Sequence, residues 1–554
     1  MEKFYLGISF GFNASACVVS SERGVLAAIS QERLNGEKNT KELPFDAAVK
    51  CCELSGVYNF EALAVSHYEN MSTDYLEKYG KKYNLHGDNW NDVIRSYFRE
   101  HTAIDFEDII CVHHHWAHAY ATTAFYDNPK NGDYLITSDG FGDGYSGMIY
   151  QCGDDDDDDE VRACLLLRAS VGLVYQFVTG ALGFTEHKHE GKITGLAAFG
   201  QPKYLREFYS LEVESRNVPL TEEEEQMVKE SNIYDFGDFL KLKKATYSLV
   251  ENLKAAGATR EDIAATVQEY AEQCVCKWIY ENVDEYGYNC YLSGGLFANV
   301  KINQRIKELG IFKNVYVCPA MGDEGNAIGA VYAILSDNLP EAKISPNQCG
   351  TVANERLIVG ESDKYSCRRI ADDNELAKTI AKMLSENKIV CLVKGKMEFG
   401  PRALCHRSIL YNCDTKETNT WLNDKLGRTE FMPFAPVCRE EVADDLFLEL
   451  DGGRDSAKHM TMTFDCTPEF IESYPAACHV DNTARPQIVS QNEDPFIWKV
   501  LSIYQLLTGK KALINTSFNL HNNPIIESTE VAVKSWITSG TDVLVIGNTV
   551  LEKI

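Results

Sequence analysis

One pattern occurs twice in the first 150 residues, and it narrows the folds open to this chain. Residues 4–19, FYLGISFGFNASACVV, read as strand, small-residue turn and strand, and Gly24 to Ile29 continue as a third strand ending at Gln31-Glu32-Arg33. Residues 133–150, DYLITSDGFGDGYSGMIY, repeat strand, Gly/Asp-rich turn and strand about 130 residues later. Duplicated hairpins with polar loops predict a fold of two similar halves around a cleft, each hairpin opening the sheet of its half. CYLSGGLFANVKIN (290–303) and VYVCPAMGDEGNAIGAVYAIL (315–335) both read as strand, loop and helix, and residues 201–288 read as a helical insert. Pro340, Pro346 and Gly350 mark a linker within 337–356. The expected domains are therefore 1–345 and 346–554. The second reads as α+β or α/β, with a helix from Asn374 to Glu386, the strand KIVCLVKGK, and strand-like runs at Gln487–Val489, Ala512–Ile514 and Val543–Ile546.

Composition removes several function classes. The chain has 554 residues, enough for two or more domains with large cores. Its 54 Lys and Arg against 82 Asp and Glu give a net charge of −28, which argues against a general nucleic-acid binder but leaves room for a small anion in a local basic pocket. No apolar run has membrane-spanning length, and MEKFYLGISFGFNAS lacks the layout of a secretory signal. The 18 cysteines are scattered with no CxxC pair, so reduced thiols in a cytoplasm are expected. Asp154–Asp159 reads as a solvated loop; as a calcium site it lacks EF-hand spacing and its glycine.

Chemistry concentrates in CVHHHWAHAYATTA, residues 111–124. On a helix, His114 and His118 lie one turn apart on one face and can hold one metal ion; packing or surface polarity is the competing reading. Ala117, Ala119, Ala121 and Ala124 make that helix a close-packed one, which directs the imidazoles into a tight environment. The Glu of the HExxH pattern is missing, so further ligands must come from elsewhere. His187, His189, Glu190 and Lys192 sit among glycines in GFTEHKHEGKITGLAAFG, and a cleft loop is expected there. The Gly294-Gly295 loop and the helix after it could offer N–H groups to a phosphate, or could reflect tight packing.

A second concentration is basic. Residues 394–428 hold Lys394, Lys396, Arg402, Arg407, Lys416, Lys425 and Arg428. HVDNTARPQ adds His479, Asp481, Thr483, Arg485 and Gln487, and INTSFN adds Asn515, Thr516, Ser517 and Asn519. Any single Lys or Arg is most simply solvated surface; the three segments together point to an anion such as ATP or another phosphorylated compound.

In this order, HHHWAHAYATTAF, SDGFGDG, SGGLFANVKIN, MGDEGNAIGA, KGKMEFGPRALCHRSIL, RTEFMPFAP, HVDNTARPQ and INTSFN resemble the NodU/CmcH-type O-carbamoyltransferases along nearly the whole chain. The resemblance implies an N-terminal domain like the tRNA threonylcarbamoyl-transferase fold, a duplicated actin/sugar-kinase/Hsp70-like (ribonuclease H-like) α/β architecture, and a YrdC-like C-terminal α/β domain. It also implies ATP-dependent O-carbamoyl transfer. Carbamoyl phosphate and ATP give carbamoyladenylate and pyrophosphate in the YrdC-like domain, and a hydroxyl acceptor takes the carbamoyl group in the N-terminal domain. The implied metal is iron(II), held by His114, His118, Asp139 and Asp323, with Mg2+ accompanying ATP. The residues then expected to act on the anions are Lys396, Arg402, Arg407, Lys425, Arg428 and Arg485, whose charges offset the repulsion between two anionic substrates. Gly294, Gly295, Asn299, Lys192, Ser408, Asn515, Ser517 and Asn519 are expected around the nucleotide. The implied partners are small molecules, with no nucleic acid and no membrane, and a homodimer at family level.

Three positions depart from the family pattern. Phe12-Asn13 stands where many members carry His-Asp, Cys405-His406 where many carry Gly-Asn, and Met432 where a basic residue is common. If the missing His activates the acceptor, then His187, His189 or a metal-adjacent Asp must replace it. Two other functions stay open on sequence: carbamoylation of a macromolecule such as tRNA, and a nucleotide-binding regulatory module without transfer.

Overall fold

The computed structural model describes residues 2–66, 90–153, 160–231, 235–355, 365–427 and 432–554; the Asp154–Asp159 run and Arg428 lie outside the described residues. The chain folds into two compact units, Met1–Gln31 with Asn39–Ile344, and Glu32–Lys38 with Ser345–Ile554.

The first unit contains the same sheet twice. Strands β1 (Phe4–Ser9), β2 (Ser15–Ser20), β3 (Gly24–Ser30), β4 (Asn59–Ser66) and β5 (Asp105–Val112) lie in the order β3-β2-β1-β4-β5. Strands β6 (Tyr134–Gly142), β7 (Tyr145–Gln151), β8 (Glu160–Leu166), β9 (Cys290–Ser293) and β10 (Val315–Val317) lie in the order β8-β7-β6-β9-β10. In both, the first three strands form an antiparallel meander, the fourth joins the first in parallel, and the fifth joins the fourth in parallel. β2 is buried along its whole length, as expected of a strand covered on both faces. This repeat is the duplicated actin/sugar-kinase/Hsp70-like arrangement, and the two expected hairpins are its β1–β2 and β6–β7.

Each half ends in a helix that follows its last strand. After β5, His113 caps helix α1 (His114–Ala121). The insert carries α2 (Val171–Ala181), α3 (Glu190–Ala197), α4 (Leu205–Ser215), α5 (Glu222–Glu230), α6 (Phe236–Ala255) and α7 (Arg260–Asn282). α8 (Val300–Glu308) follows β9, and α9 (Asn326–Ile334) follows β10 after a short 3-10 turn, Asp323–Gly325. α9 crosses α1 backbone to backbone. A Cβ on Gly329 would stand 1.7 Å from the Ala117 carbonyl oxygen, and one on Gly7 of β1 would stand 2.1 Å from that of Ala327. The small residues of α1 serve this approach.

The second unit is built on a mixed eight-stranded sheet. Its strands are β11 (Tyr365–Arg369), β12 (Val390–Val393), β13 (Arg407–Tyr411), β14 (Ala435–Arg439), β17 (Gln487–Val489), β18 (Ala512–Ser517), β19 (Val543–Ile546) and β20 (Thr549–Lys553), with the short pair β15 (Phe464–Asp465) and β16 (Thr483–Ala484) beside it. The order is β11-β20-β19-β12-β13-β18-β14-β17. Helices α10 (Asp373–Ser385) and α12 (Pro495–Thr508) flank α11 (Glu417–Leu426) in sequence. Leu376, Ile380 and Leu384 of α10 and Val500 and Leu501 of α12 share one core with Val390, Leu392 and Leu513 of the sheet. Among the described residues no helix is long and apolar enough to cross a membrane.

Candidate metal centre and anion site

Four side chains of the first unit converge. His114 and His118 come from α1, Asp139 from the end of β6, and Asp323 from the turn that starts α9. Their ligand atoms all lie within 4.8 Å of one another. His114 Nε2 is 3.1 Å from Asp139 Oδ2 and 3.8 Å from Asp323 Oδ1, and His118 Nε2 is 3.2 Å from Asp323 Oδ1 and 3.8 Å from Asp139 Oδ2. Both imidazoles are fully buried. Burial alone would suppress the charge on His118, but Asp139 and Asp323 outweigh it and raise its pKa to about 9. Burial alone would raise Asp139, but its hydrogen bonds with His114 and His118 hold its carboxyl well below the usual range. Two imidazole nitrogens facing two carboxylate oxygens in so small a volume fit a divalent transition-metal ion.

Neighbours orient these ligands. His118 Nδ1 lies 3.4 Å from Ser293 Oγ, and the Asn326 amide lies 3.5 Å from His114 Nδ1 and 3.3 Å from His118 Nε2. Asp143, the second aspartate of SDGFGDG, is not at the cluster; its carboxylate accepts the His114 backbone N–H at 2.7 Å and so sets the start of α1. Gly142 makes room for the ligand itself, because a Cβ there would meet the His114 ring at 2.1 Å. Sequence reading missed Asp143, Ser293 and Asn326; the only trace was their presence inside the matching motifs. His115 bonds Thr137 Oγ1 at 2.8 Å and the Tyr145 carbonyl at 3.0 Å. Burial, then the neighbouring His114, keeps it neutral.

The Gly294-Gly295 loop is closely packed. A Cβ on Gly294 would fall 2.2 Å from the Ser138 carbonyl oxygen, and Gly295 N–H donates to Asp139 Oδ1 at 3.1 Å. Gly294 N–H donates to the Met321 carbonyl, and the Asn299 side chain caps α8 by accepting from Lys301 and Ile302 N–H. Asn299 also bonds Gln268 of α7. Gly294, Gly295 and Asn299, expected around the nucleotide, thus all bond within the first unit, and the loop fixes Asp139. Lys192 is buried in α3.

In the second unit the three polar segments do meet. Asn515 Nδ2 donates to the Ala403 carbonyl at 3.0 Å and to Gln487 Oε1 at 2.6 Å, while Cys405 Sγ reaches the same Gln487 oxygen at 3.3 Å. Ser408 pairs with Ser517 across β13 and β18, and Ser517 Oγ donates to Asn519 Oδ1 at 2.6 Å. Arg402 and Arg485 are half-buried on these segments and Lys396 is exposed. The turn between β12 and β13 is organised by Glu398, whose Oε1 accepts the N–H groups of Leu404, His406 and Arg407 at 2.8–2.9 Å. Cys405 has φ +73, a left-handed conformation that explains why glycine suits this position.

Two of the residues expected to act on the anions have other surroundings. Arg407 is fully buried, and its guanidinium donates to the carbonyls of Gly395, His406 and Thr351 at 2.7–3.2 Å. It ties the turn together. Lys425 lies on α11 with Nζ 5.1 Å from the Trp421 ring, which packs on Tyr411 at the opposite end of β13 from Arg407. Charge density along the sequence placed both residues with the others; the strand direction separates Lys425, and burial removes Arg407.

Two family models match, "Carbamoyltransferase N-terminus" over residues 5–332 and "Carbamoyltransferase C-terminus" over residues 381–553. Nodulation protein NolNO of Sinorhizobium fredii is 27% identical over 97% of this chain and 78% of its own length. An uncharacterised protein of Methanocaldococcus jannaschii is 31% identical over 82% of this chain and 76% of its own. Among solved structures, the activator of the 2-hydroxyisocaproyl-CoA dehydratase from Clostridium difficile aligns over 60% of this chain and 95% of its own, with a TM-score of 0.35 and 11% identity. Both parts of the sequence, in the expected order, match the two halves of one enzyme family: the chain belongs to the carbamoyltransferases.

Proposed function

We propose that this carbamoyltransferase works in two steps, the first consuming ATP, and delivers its group to a hydroxyl of a small natural product or saccharide. In the second unit, carbamoyl phosphate, ATP and one water give carbamoyladenylate, phosphate and pyrophosphate. Lys396, Arg402 and Arg485 flank the converged segments there, and their charges offset the repulsion between the two anionic substrates and steady the departing pyrophosphate. Ser408, Asn515, Ser517 and Asn519 supply a polar floor for the nucleotide. In the first unit, the acceptor oxygen attacks the carbamoyl carbon and AMP leaves.

The observation that carries this reading is the convergence of His114, His118, Asp139 and Asp323 within one small polar volume. A divalent ion bound by these four, iron(II) in this reading, would act as Lewis acid and template toward the carbamoyl or phosphate oxygens. Ser293 and Asn326 hold the two imidazoles in the orientation that this needs. The net charge of −28 favours a small acceptor over a polyanion such as tRNA.

The test is release of pyrophosphate and AMP from ATP, with and without carbamoyl phosphate. Carbamoyl-phosphate-dependent pyrophosphate release that disappears in Arg402→Ala is expected. Absence of pyrophosphate with every divalent metal tried would overturn the two-step reading and leave a nucleotide-binding regulatory module.

A further inference from the structure

Transfer to a hydroxyl releases a proton, and in the quartet Asp139 Oδ2 and Asp323 Oδ1 are turned on the two imidazoles. The nearby histidines are mostly committed as well. His115 uses both ring nitrogens on Thr137 and Tyr145. His113 uses one on the Asp143 carbonyl and accepts the His115 N–H on the other. His189 accepts the Thr185 N–H.

His187 is different. Its ring stacks on Phe12 with centroids 4.1 Å apart and 19° between planes, and neither ring nitrogen has a hydrogen-bond partner among the described residues. Phe12 is tied to the cluster through the turn after β1. Asn13 Nδ2 donates to Glu324 Oε2 at 3.2 Å, and Ser15 Oγ donates to the Glu324 carbonyl at 2.7 Å, one residue beyond Asp323. The backbone of His187 is held in a left-handed conformation, φ +63, by its N–H to Glu190 Oε1 at 2.6 Å and by Asn39 Nδ2, which donates to its carbonyl. A non-glycine residue persists there only when its surroundings fix it.

We propose that His187 is the general base of the transfer step, an inference that rests on the two-step reading. The acceptor O–H gives its proton to a ring nitrogen of His187 as its oxygen bonds the carbamoyl carbon. The bond from that carbon to the AMP phosphate oxygen breaks, the electron pair leaves with AMP, and the imidazolium then returns the proton to solvent. The surroundings suit this role. Desolvation, then the Lys41 ammonium 3.5 Å from the Phe12 centroid, lowers the pKa of His187, so the ring is neutral at pH 7. The carboxylates of Glu186, Asp139 and Asp323 act in the opposite sense, more weakly. Glu190, on its backbone N–H, is raised by burial to about 7 and is the other group nearby whose titration could shape a pH profile.

The experiment follows pyrophosphate and AMP together in the intact chain, with ATP, carbamoyl phosphate, the activating divalent metal, and molar glycerol in water as acceptors. His187→Gln is expected to keep pyrophosphate release, to slow AMP release about 10²–10⁴-fold, and to lose the acidic limb of the AMP pH profile. Glu190→Gln should keep that limb, which separates the two groups. Adding Phe12→His to His187→Gln should recover part of the lost rate, because it places an imidazole in the adjoining position. Two results would overturn the inference: unchanged AMP release and pH profile in His187→Gln, or a parallel fall of pyrophosphate and AMP with the limb intact. Pyrophosphate release absent from the unaltered chain would instead remove the two-step reading, and this inference with it.

Discussion

The two candidate sites carry different kinds of sequence signal, and the signals fared differently in the folded chain. In the first unit, the expected ligands were an i,i+4 histidine pair and two aspartates in glycine-rich turns, and all four donor sets meet within 4.8 Å. In the second unit, the expectation rested on the density of Lys and Arg, and the set divided. Lys396, Arg402 and Arg485 lie on segments that meet, Arg407 is buried with its two terminal nitrogens on backbone carbonyls, and Lys425 sits at the far end of β13. Spacing on a helix is a geometric statement, because residues one turn apart share a face wherever the helix goes. Charge density says only that cations are near one another along the chain. A buried Arg with five donors can be a structural staple as readily as an anion contact.

This contrast is open to test, and the largest effect concerns the quartet. His114→Ala should abolish metal retention, measured by elemental analysis, and lower AMP formation about 10³-fold or more while pyrophosphate release persists. Equal loss of both products would mean that the two units are not separate in function. Next, Gly142→Ala drives a methyl into the His114 ring and should weaken metal binding about 10–100-fold without unfolding the chain. Ordinary affinity in that variant would show that the ring has room to move.

In the second unit, Arg407→Ala should cost about 3 kcal/mol of stability in denaturant unfolding, because three carbonyls lose a charged donor in a dry environment. Arg402→Ala should leave the unfolding midpoint in place and abolish pyrophosphate release. The reverse pattern would restore Arg407 as an anion contact.

A smaller effect is expected at His406, whose Nε2 is 3.1 Å from Asp494 Oδ2 and whose Nδ1 donates to the Lys396 carbonyl. Burial disfavours the imidazolium, but Asp494 outweighs it and the folded-state pKa is raised. The pair therefore contributes stability that is complete below the unfolded value of about 6.5 and is lost as pH rises through the higher folded value. His406→Asn should flatten the fall in melting temperature above neutral pH. A slope identical to that of the unaltered chain would show that the pair carries no net energy. The smallest effect is expected for Lys425→Ala, within about 0.5 kcal/mol in stability and without loss of pyrophosphate release.

Much of this molecule was legible without coordinates. The two hairpins appear as β1–β2 and β6–β7 because a strand–turn–strand pattern is local, and the doubled sheet follows from its repetition. The helical insert and the strand–loop–helix units at β9 and β10 were readable for the same reason, since each depends on residues within a few positions of one another. What only the tertiary structure decided is longer in range. The Gly294-Gly295 loop packs on Ser138 and donates to Asp139, contacts that no local pattern places. Asp143 had to be told from Asp139, and that choice lies in the hairpin turn that aims one carboxylate at the ligands and the other at the backbone N–H of His114. His187 and Phe12 are 175 positions apart, and no periodicity links them; their stacking exists because the loop before α3 folds back on the turn after β1. Local pattern sets elements and faces, because propensity and periodicity act over a few residues. Which faces meet is set by burial and close approach across the whole chain.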